Sequence, residues 1–263
     1  MDTSPGTRPP SQGAASERQR RETAFHEEVA RNPERLAARY YEWGLEEEAE
    51  EFAAGLLGPL AGRTVVDFGC GSGRFSLRFA RERARVLAFD LSPAQLTELA
   101  AEARAAGLAD RIHCLQMSGE QLALAEGSVE LMYGQSVLHH LDLEAARREI
   151  LRVLAPGGRA VFLEPLIHNP LLRLYRALTP GRRSPDERPL STAEVERLGA
   201  GFREARHREF CLLALLAVPL TALPSRGLFG AALRPLQALD RQLLRAWPRL
   251  GVYAWITVIE LTR

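Results

Sequence analysis

Short apolar runs alternate with helical stretches through the middle of the chain. β-branched and aromatic residues concentrate in the runs, and the stretches between them repeat apolar positions at helical spacing. Strands that alternate with helices predict a parallel sheet with helices on both faces. The five strands predicted in this part of the chain are Thr64–Phe68, Arg85–Phe89, Ile112–Met117, Val129–Tyr133 and Arg159–Leu163.

Capping residues indicate where several helices begin. Ser92 and Pro93 supply an N-cap and a proline at the first helical position, and Asn169 and Pro170 repeat this pattern. A glutamate three residues after Ser191 completes the sequence of a capping box. These signals predict helices after the second strand, after the fifth strand and directly after Ser191.

The N-terminal part of the chain divides into a polar tail and two helical stretches. Residues 1–23 are rich in Pro, Ser, Gly and Arg, which predicts a disordered tail. They contain no apolar run of the kind found in secretory signal peptides, so no secretory signal is expected. Ala24–Trp43 and Leu45–Leu57 have helical patterns, with a break expected at Asn32 before a proline. We expect residues 24–62 to form an N-terminal helical lid.

The C-terminal part of the chain contains two more predicted strands, Ala205–Phe210 and Gly251–Leu261. An apolar stretch, Cys211–Leu223, separates them, but it is too short to span a bilayer. A helical segment around Leu228–Trp247 follows, and Pro235 is expected to kink or break it.

Three glycines follow the first strand at alternate positions, Gly69, Gly71 and Gly73. A strand, a glycine turn and a helix let backbone approach a nucleotide-like ligand and direct a helix N-terminus at it. The dinucleotide fingerprint needs a glycine where this chain has Arg74, so the loop is GxGxG instead. Asp90 ends the second strand, where a carboxylate can accept hydrogen bonds from ribose hydroxyls, or can cap the following turn and helix.

This loop and three later stretches resemble the class I S-adenosylmethionine-dependent methyltransferases of the small-molecule branch. The stretches are LAFDLSPAQL, SVELMYGQSVLHHL and REILRVLAPGGRAVFLEP, and the likeness runs in order from about Thr64 to Pro165. The resemblance implies an α/β fold with a seven-stranded Rossmann-like sheet, helices on both faces and a methyltransferase domain over residues 63–263. It also implies S-adenosylmethionine as the cofactor.

The resemblance assigns cofactor contacts to the loop and to the ends of the next strands. Members of the family often carry an acidic residue after the third strand, which meets the adenine amino group. In this chain Ser118 stands at that position and Glu120 follows two residues later. Gln135 is expected beside the sulfonium. The full set of expected cofactor residues is Asp67, Gly69, Cys70, Gly71, Gly73, Asp90, Leu91, Ser118, Gly119, Glu120 and Gln135.

Two adjacent histidines, His139 and His140, follow the fourth strand. Either one can act as a general base for an acceptor that loses a proton, with His139 preferred, or the pair forms a structural turn. No set of Asp, His and Glu residues has the spacing of metal ligands, so no metal is expected. The sequence after the fourth strand lacks the Asn-Pro-Pro-Tyr motif, which disfavours methylation of an amide or exocyclic amine.

Two additions, residues 166–190 and residues 211–248, depart from the minimal family fold, in which the sixth and seventh strands form a direct hairpin. Both follow strands that end at the carboxyl edge of the sheet, so both are expected to roof the substrate pocket, the second as a helical cap between strands six and seven. The cap is apolar, which suits either a hydrophobic acceptor or ordinary packing of helices. The expected pocket residues are Glu164, His168, Asn169 and Tyr175, together with Tyr40 and Tyr41, which either cover a ligand or pack the first helix on the core.

Composition limits the partners. The net charge of +1 gives no electrostatic footprint for nucleic acid, and three widely separated cysteines suit a reducing, cytoplasmic setting. The resemblance implies methyl transfer, and with the apolar cap it leads us to expect O- or C-methylation of a small lipid-, quinone- or polyketide-like molecule. The alternative is a regulatory or interaction module that binds S-adenosylmethionine without methyl transfer. Arginines on the apolar cap leave contact with a membrane surface open, and the same surface suits a homodimer.

Overall fold

The computed structural model describes residues 17–31, 42–179, 186–223 and 225–263. Within them, seven strands form one sheet. The strands are β1 (Thr64–Phe68), β2 (Arg85–Asp90), β3 (Ile112–Gln116), β4 (Val129–Gln135), β5 (Leu154–Pro165), β6 (Glu204–Phe210) and β7 (Ile256–Thr262).

The strand order is β3-β2-β1-β4-β5-β7-β6. Strands β1 to β5 are parallel, and β7 runs antiparallel between β5 and β6. The order changes direction between β1 and β4, so the carboxyl ends of these two strands open the crevice in which such sheets bind ligands. The predicted α/β class and seven-stranded sheet are confirmed.

Helices cover both faces of the sheet. The capping signals of the sequence mark their starts correctly, because the side chains of Ser92, Asn169 and Ser191 each accept a hydrogen bond from the first turn that follows. The α-helices are α1 (Glu17–Arg31), α2 (Glu47–Leu56), α3 (Arg74–Arg81), α4 (Pro93–Ala105), α5 (Leu143–Val153), α6 (Pro170–Leu178), α7 (Thr192–Leu198) and α8 (Arg226–Ala246). Shorter 3-10 helices span Leu138–His140, Ala214–Ala222 and Pro248–Tyr253.

Helix α1 corrects the predicted boundary of the disordered tail. It begins at Glu17, so residues 17–23 are helical. Contacts with distant parts of the chain stabilise this turn, since Arg18 and Gln19 hydrogen-bond side chains that follow β3. Composition could not reveal such contacts. The predicted break at Asn32 lies outside the described residues, as do Tyr40 and Tyr41.

Three further boundaries differ from the prediction. Strand β5 starts at Leu154, because that residue pairs with Val129 before a bulge in the ladder. Strand β7 starts at Ile256, since the residues before it form a 3-10 helix. Helix α8 continues through Pro235, where the ring is exposed and the freed carbonyl can face solvent.

The core lies in two layers, one on each face of the sheet. In one layer, Phe79 of α3 and Tyr133 of β4 pack against α2 and α8. In the other, Phe68 of β1 and Phe162 of β5 pack against α5 and α7. Aromatic pairs tie strands to helices in the first layer, where the Phe79 and Tyr133 rings meet edge to face at 5.2 Å. This packing fixes the carboxyl ends of β1 and β4 relative to each other.

The helical segment between β6 and β7 packs on the first of these core layers. Phe229 of α8 is fully buried, and its ring meets Trp43 edge to face at 5.5 Å. The buried Asp240 carboxylate accepts hydrogen bonds of 2.9, 2.7 and 3.1 Å from the backbone N–H groups of residues 212–214, where the 3-10 helix begins. Among the described residues, no helix combines the length and apolar character that crossing a membrane requires.

Candidate active site

The glycine loop after β1 has the backbone that its sequence predicts. Gly69, Gly71 and Gly73 have φ values of 68°, 53° and 86°, in the left-handed region that favours glycine. A Cβ on Gly69 would lie 2.4 Å from Cγ2 of Val137, and one on Gly73 would lie 2.2 Å from Cδ1 of Leu99. The loop therefore needs glycine both for its conformation and for close packing.

Asp90 joins the glycine loop to the end of β2. Its Oδ2 accepts a hydrogen bond of 3.0 Å from the N–H of Gly71, and its Oδ1 accepts one of 2.9 Å from the N–H of Ser92. Asp90 therefore caps the turn that follows β2, which is one of the two roles predicted for it. A carboxylate has about four acceptor positions, so these two bonds leave capacity for a ligand.

A cavity of about 750 Å³ opens at the switch point between β1 and β4. The glycine loop forms one wall, and residues from α1 and α2 and the turn after β4 form the others. Gly73 and Ser118 do not line it within the described part of the chain, although Ser118 hydrogen-bonds a residue that does. The predicted site residues that line it are Asp67, Gly69, Cys70, Gly71, Asp90, Leu91, Gly119, Glu120, Gln135 and His140.

Helix α1 covers the side of the cavity that follows β3. The Gln19 amide donates to Ser118 Oγ at 2.9 Å and to Glu120 Oε2 at 3.2 Å. Arg18 forms an ion pair with Glu120, whose Oε1 also accepts the N–H of Asp142 at 2.8 Å. Sequence reasoning missed Arg18 and Gln19, because it placed them in a disordered tail.

Two buried polar groups lie beside the glycine loop. The Asp67 carboxylate accepts the hydroxyl of Ser76 at 2.5 Å, and burial raises the pKa of Asp67 to about 7, with the negative charge of Asp90 adding to the shift. The Tyr133 hydroxyl is buried and has no hydrogen-bond partner among the described residues. Both residues belong to the lining of the cavity.

An acidic cluster from α2 and the turn before it forms the opposite wall. Arg74 forms a bidentate ion pair with Glu50, with N–O distances of 2.5 and 2.6 Å. The Gln135 amide donates to Glu50 at 3.0 Å and to Glu46 at 3.3 Å. Burial raises the pKa of Glu46 to about 8, and the charge of Glu50 adds to the shift. The amphipathic pattern of α2 predicts a helix that packs on the core, but it does not predict that Glu46 and Glu50 contact Gln135 and Arg74.

The two histidines have different positions in the 3-10 helix after β4. His140 lines the cavity, and its Nδ1 lies 3.0 Å from Oε2 of Glu22. His139 lies behind it, with Nδ1 2.7 Å from Oε2 of Glu164. The prediction that prefers His139 as the base is therefore not supported by the position of its side chain, which is 5% exposed.

Glu164 and Asn169 have structural contacts in place of the predicted pocket role. Glu164 is fully buried and accepts the N–H groups of Val137 and Leu138 at 2.9 and 2.8 Å. Asn169 caps α6 and donates to the carbonyl of Tyr253 at 2.7 Å. His168 and Tyr175 also lie away from the cavity lining within the described residues.

Comparison with known proteins identifies the central part of the chain. Residues 66–162 match the methyltransferase domain family. This match assigns a methyltransferase domain to that part of the chain. The ubiquinone/menaquinone biosynthesis C-methyltransferase UbiE of Vibrio vulnificus is 28% identical to it over 134 residues, which are 49% of this chain and 52% of the relative. The chain spans about half the length of the curated relatives it matches.

Solved structures share the fold of this chain. Geranyl diphosphate C-methyltransferase from Streptomyces coelicolor superposes with a TM-score of 0.64 at 18% identity, covering 95% of this chain and 99% of the other. The 4+2 cyclase SpnF superposes with a TM-score of 0.55 at 18% identity, covering 82% and 80%. At these identities the likeness supports the fold alone.

The fold of the methyltransferase domain also brings together a group that sequence spacing did not reveal. His139, His140 and Glu187 each present one potential metal-ligand atom, and these atoms lie within 4.8 Å of one another. The expectation that the chain holds no metal rested on spacing along the sequence, and Glu187 lies far from the histidines in sequence.

Proposed function

We propose that this chain transfers a methyl group from S-adenosylmethionine to a small-molecule acceptor. The observation that carries the proposal is the cavity at the switch point of the methyltransferase domain, walled by the GxGxG loop and Asp90. Its volume of about 750 Å³ lies within the range of small-ligand sites, roughly 300–1,000 Å³.

The buried polar groups fit this cofactor, which carries an amino group and a methyl group activated by a positively charged sulfur. A cationic group near Asp67 would favour its ionised form and offset the cost of burying the carboxylate. A polar atom near Tyr133 would supply the hydrogen bond that its hydroxyl lacks. A positive charge nearby would likewise favour the ionised form of Glu46, whose pKa burial raises to about 8.

We assign each part of S-adenosylmethionine to the residues that line the corresponding wall of the cavity. Asp90 would bind the ribose hydroxyls, and Gly119 and Glu120 would contact the adenine. Asp67, Tyr133 and Gln135 would bind the methionine part.

The residues of this chain would act mainly by holding the two reactants in line and excluding water. Orientation of this kind can supply roughly 7–11 kcal/mol of the barrier reduction in well-aligned cases. If the acceptor must lose a proton, His140 is the histidine positioned to take it, because it lines the cavity and Glu22 orients its ring.

We infer that the acceptor is hydrophobic and is methylated on oxygen or carbon. Support comes from two relatives whose names specify a quinone pathway and geranyl diphosphate. The described lining of the cavity does not add to this support, since it is rich in carboxylates and the segment between β6 and β7 contributes Arg226 to it. The apolar residues of that segment instead pack in the core.

The direct test is turnover by the full chain with a panel of acceptors. The panel contains a prenylated quinol, a prenyl diphosphate and a small primary amine, and mass spectrometry follows both S-adenosylhomocysteine and methylated product. We expect methylation of at least one apolar acceptor. Methylation of the amine alone would contradict the hydrophobic assignment, and S-adenosylmethionine binding without any methylated product would contradict methyl transfer.

A module that binds S-adenosylmethionine without transferring its methyl group is the second candidate. The 4+2 cyclase SpnF, which superposes on this chain, carries a name that describes a reaction other than methyl transfer, so the shared fold is compatible with this candidate. The two candidates predict equal cofactor binding. They differ in whether S-adenosylhomocysteine accumulates when the protein is incubated with S-adenosylmethionine and cell-extract metabolites.

Peripheral contact with a membrane is a further part of the proposal. Leu171 and Leu174 of α6 are exposed beside the exposed cation Arg173, and the Asn169 bond brings this helix to the exposed Tyr253. Co-sedimentation with anionic vesicles should fall when Leu174 is replaced by Asp. If the vesicles do not bind the chain and light scattering finds a dimer that the same change disrupts, the surface is a self-association surface instead.

A further inference from the structure

We propose that His139, His140 and Glu187 form a binding site for a divalent transition metal such as Zn²⁺, at the wall of the cavity. The inference does not depend on methyl transfer. It rests on four observations about described residues: the convergence of three ligands, the carboxylates behind both rings, the backbone contact that fixes the third ligand, and the position of His140 on the cavity.

The three ligand atoms are close enough to share one ion. They lie within 4.8 Å of one another. Ligands at about 2.0–2.1 Å from a tetrahedral zinc are roughly 3.4 Å apart, so a movement of at most about 1.4 Å would complete the site. Glu187 can supply that movement, since it lies in an irregular loop and can shift its side chain more easily than the two rings.

Both histidines are oriented as metal ligands usually are. Nδ1 of His139 faces Glu164 at 2.7 Å, and Nδ1 of His140 faces Glu22 at 3.0 Å. A histidine that binds metal usually gives its other ring N–H to a carboxylate in this way, which fixes the tautomer and strengthens the ligand. Nε2 of each ring is then the nitrogen that carries the lone pair for a metal.

The loop that carries Glu187 is attached to the histidine turn by its backbone. The N–H of Arg188 donates to the carbonyl of His139 at 3.3 Å. On the other side, the Asp186 carboxylate accepts two hydrogen bonds from Arg21 of α1, at 2.8 and 2.9 Å. The chain on either side of Glu187 is therefore anchored, and only the Glu187 side chain has to move to complete the site.

The charges around the rings favour a cation. Three carboxylates, those of Glu22, Glu164 and Glu187, surround the two imidazoles. Arg176 donates to Glu187 Oε1 at 2.7 Å, and a carboxylate can keep that bond while its second oxygen binds a metal. Two imidazoles and one carboxylate suit zinc and its neighbours better than magnesium or calcium, which prefer all-oxygen sites.

A site with three protein ligands keeps a coordination position for water or a ligand oxygen, as catalytic zinc sites do. Because His140 lines the cavity, a metal bound there would lie next to the space proposed for the acceptor. Its chemical role would be to bind and orient an acceptor oxygen.

The test is metal binding by the full chain after removal of metals with a chelator, without cofactor or acceptor. Calorimetry with Zn²⁺ should find one site per chain, and Co²⁺ should give the absorption bands of a low-coordinate site. Glu187→Gln keeps the size of a partly exposed side chain and should weaken binding at least tenfold. Glu164→Gln changes the group behind His139 and also an acceptor of the Val137 and Leu138 N–H groups, so it is read only in protein whose fold circular dichroism confirms, where it should weaken binding 10- to 100-fold.

The matched control uses the exposed His207 on β6, whose Nδ1 lies 2.5 Å from Oε1 of the partly buried Glu209. His207→Ala should leave Zn²⁺ affinity unchanged. The proposal is overturned if the parent binds no Zn²⁺, if His207→Ala removes the binding, or if Glu187→Gln binds like the parent. Methyl transfer by a protein that binds no metal would overturn this inference alone, whereas metal binding without transfer would overturn the proposed function alone.

Discussion

The hydroxyl of Tyr133 is a buried polar group on the cavity wall without a partner among the described residues. An unpaired buried hydroxyl costs roughly 1–3 kcal/mol. We therefore predict that Tyr133→Phe raises the free energy of unfolding of the free protein by about 1 kcal/mol. If the hydroxyl binds the cofactor, the same change should weaken S-adenosylmethionine binding. Chemical denaturation and calorimetry measure the two effects, and a variant that loses stability with unchanged affinity would contradict the assignment.

Glu46 predicts a dependence of stability on pH. Burial raises its pKa from 4.5 to about 8, so the folded state keeps a proton that the unfolded state releases. Stability from this group is present below pH 4.5 and is lost as the pH rises through about 8. Glu46→Gln should therefore stabilise the protein at pH 9 by about 1–4 kcal/mol and have little effect at pH 5.

The control for Glu46 is Glu98→Gln, which changes an exposed carboxyl on α4. Urea denaturation at the two pH values should give the same free energy of unfolding for this control and for the parent. A Glu46→Gln variant with the same pH dependence as the parent would show that Glu46 is ionised in the folded state.

The residues of the site also indicate what a sequence can and cannot specify. The glycine loop and Asp90 were predictable, because strand, glycine turn and acidic residue are neighbours in a local pattern with a known geometry. Glu164 was placed in the pocket because it follows a strand, but its carboxylate turns to the backbone of the histidine turn. Glu46 and Gln19 were missed, since their roles depend on which distant surfaces their helices meet.

At the scale of elements, the helical segment between β6 and β7 depends on Asp240. The carboxylate of Asp240 on α8 binds three successive N–H groups at the start of the 3-10 helix Ala214–Ala222. Asp240→Asn replaces one of the accepting oxygens with an NH₂ group, and we expect it to lower the free energy of unfolding by about 1–3 kcal/mol.

The matched control is Asp110→Asn, at an exposed position before β3. Thermal or chemical denaturation should find it within about 0.5 kcal/mol of the parent. Equal stabilities for the two variants would mean that Asp240 does not hold the segment in place.

The ends of helices and strands were predicted well where neighbouring residues in the sequence set them. They were predicted poorly where strand pairing or contacts with distant residues set them. The N-caps at Ser92, Asn169 and Ser191 follow from side-chain chemistry within one turn. Helix α1 extends into the predicted tail because distant residues bind it, and β7 is shorter than predicted because part of its β-rich sequence forms a 3-10 helix. Apolar composition alone did not reveal whether the additions line a pocket or pack in the core.

At the scale of the whole molecule, the sheet order brings groups from distant parts of the chain to one cavity. Helices α1 and α2, the glycine loop, Asp90 and the turn after β4 all contribute to its wall. The α/β pattern predicted this meeting point, because ligands bind such sheets where the strand order reverses. The acceptor cannot be predicted in the same way, since no repeating pattern specifies what the two additions contact.

The central claim is that this cavity binds S-adenosylmethionine through Asp90. Titration calorimetry with the parent, Asp90→Ala and the distant control Asp110→Ala tests it most directly. We predict one cofactor per chain for the parent and the control, and a loss of about 1.5–3 kcal/mol of binding free energy for Asp90→Ala, as expected for a charged hydrogen-bond acceptor. Absence of binding to the parent, or equal affinity in a folded Asp90→Ala variant, would contradict the account.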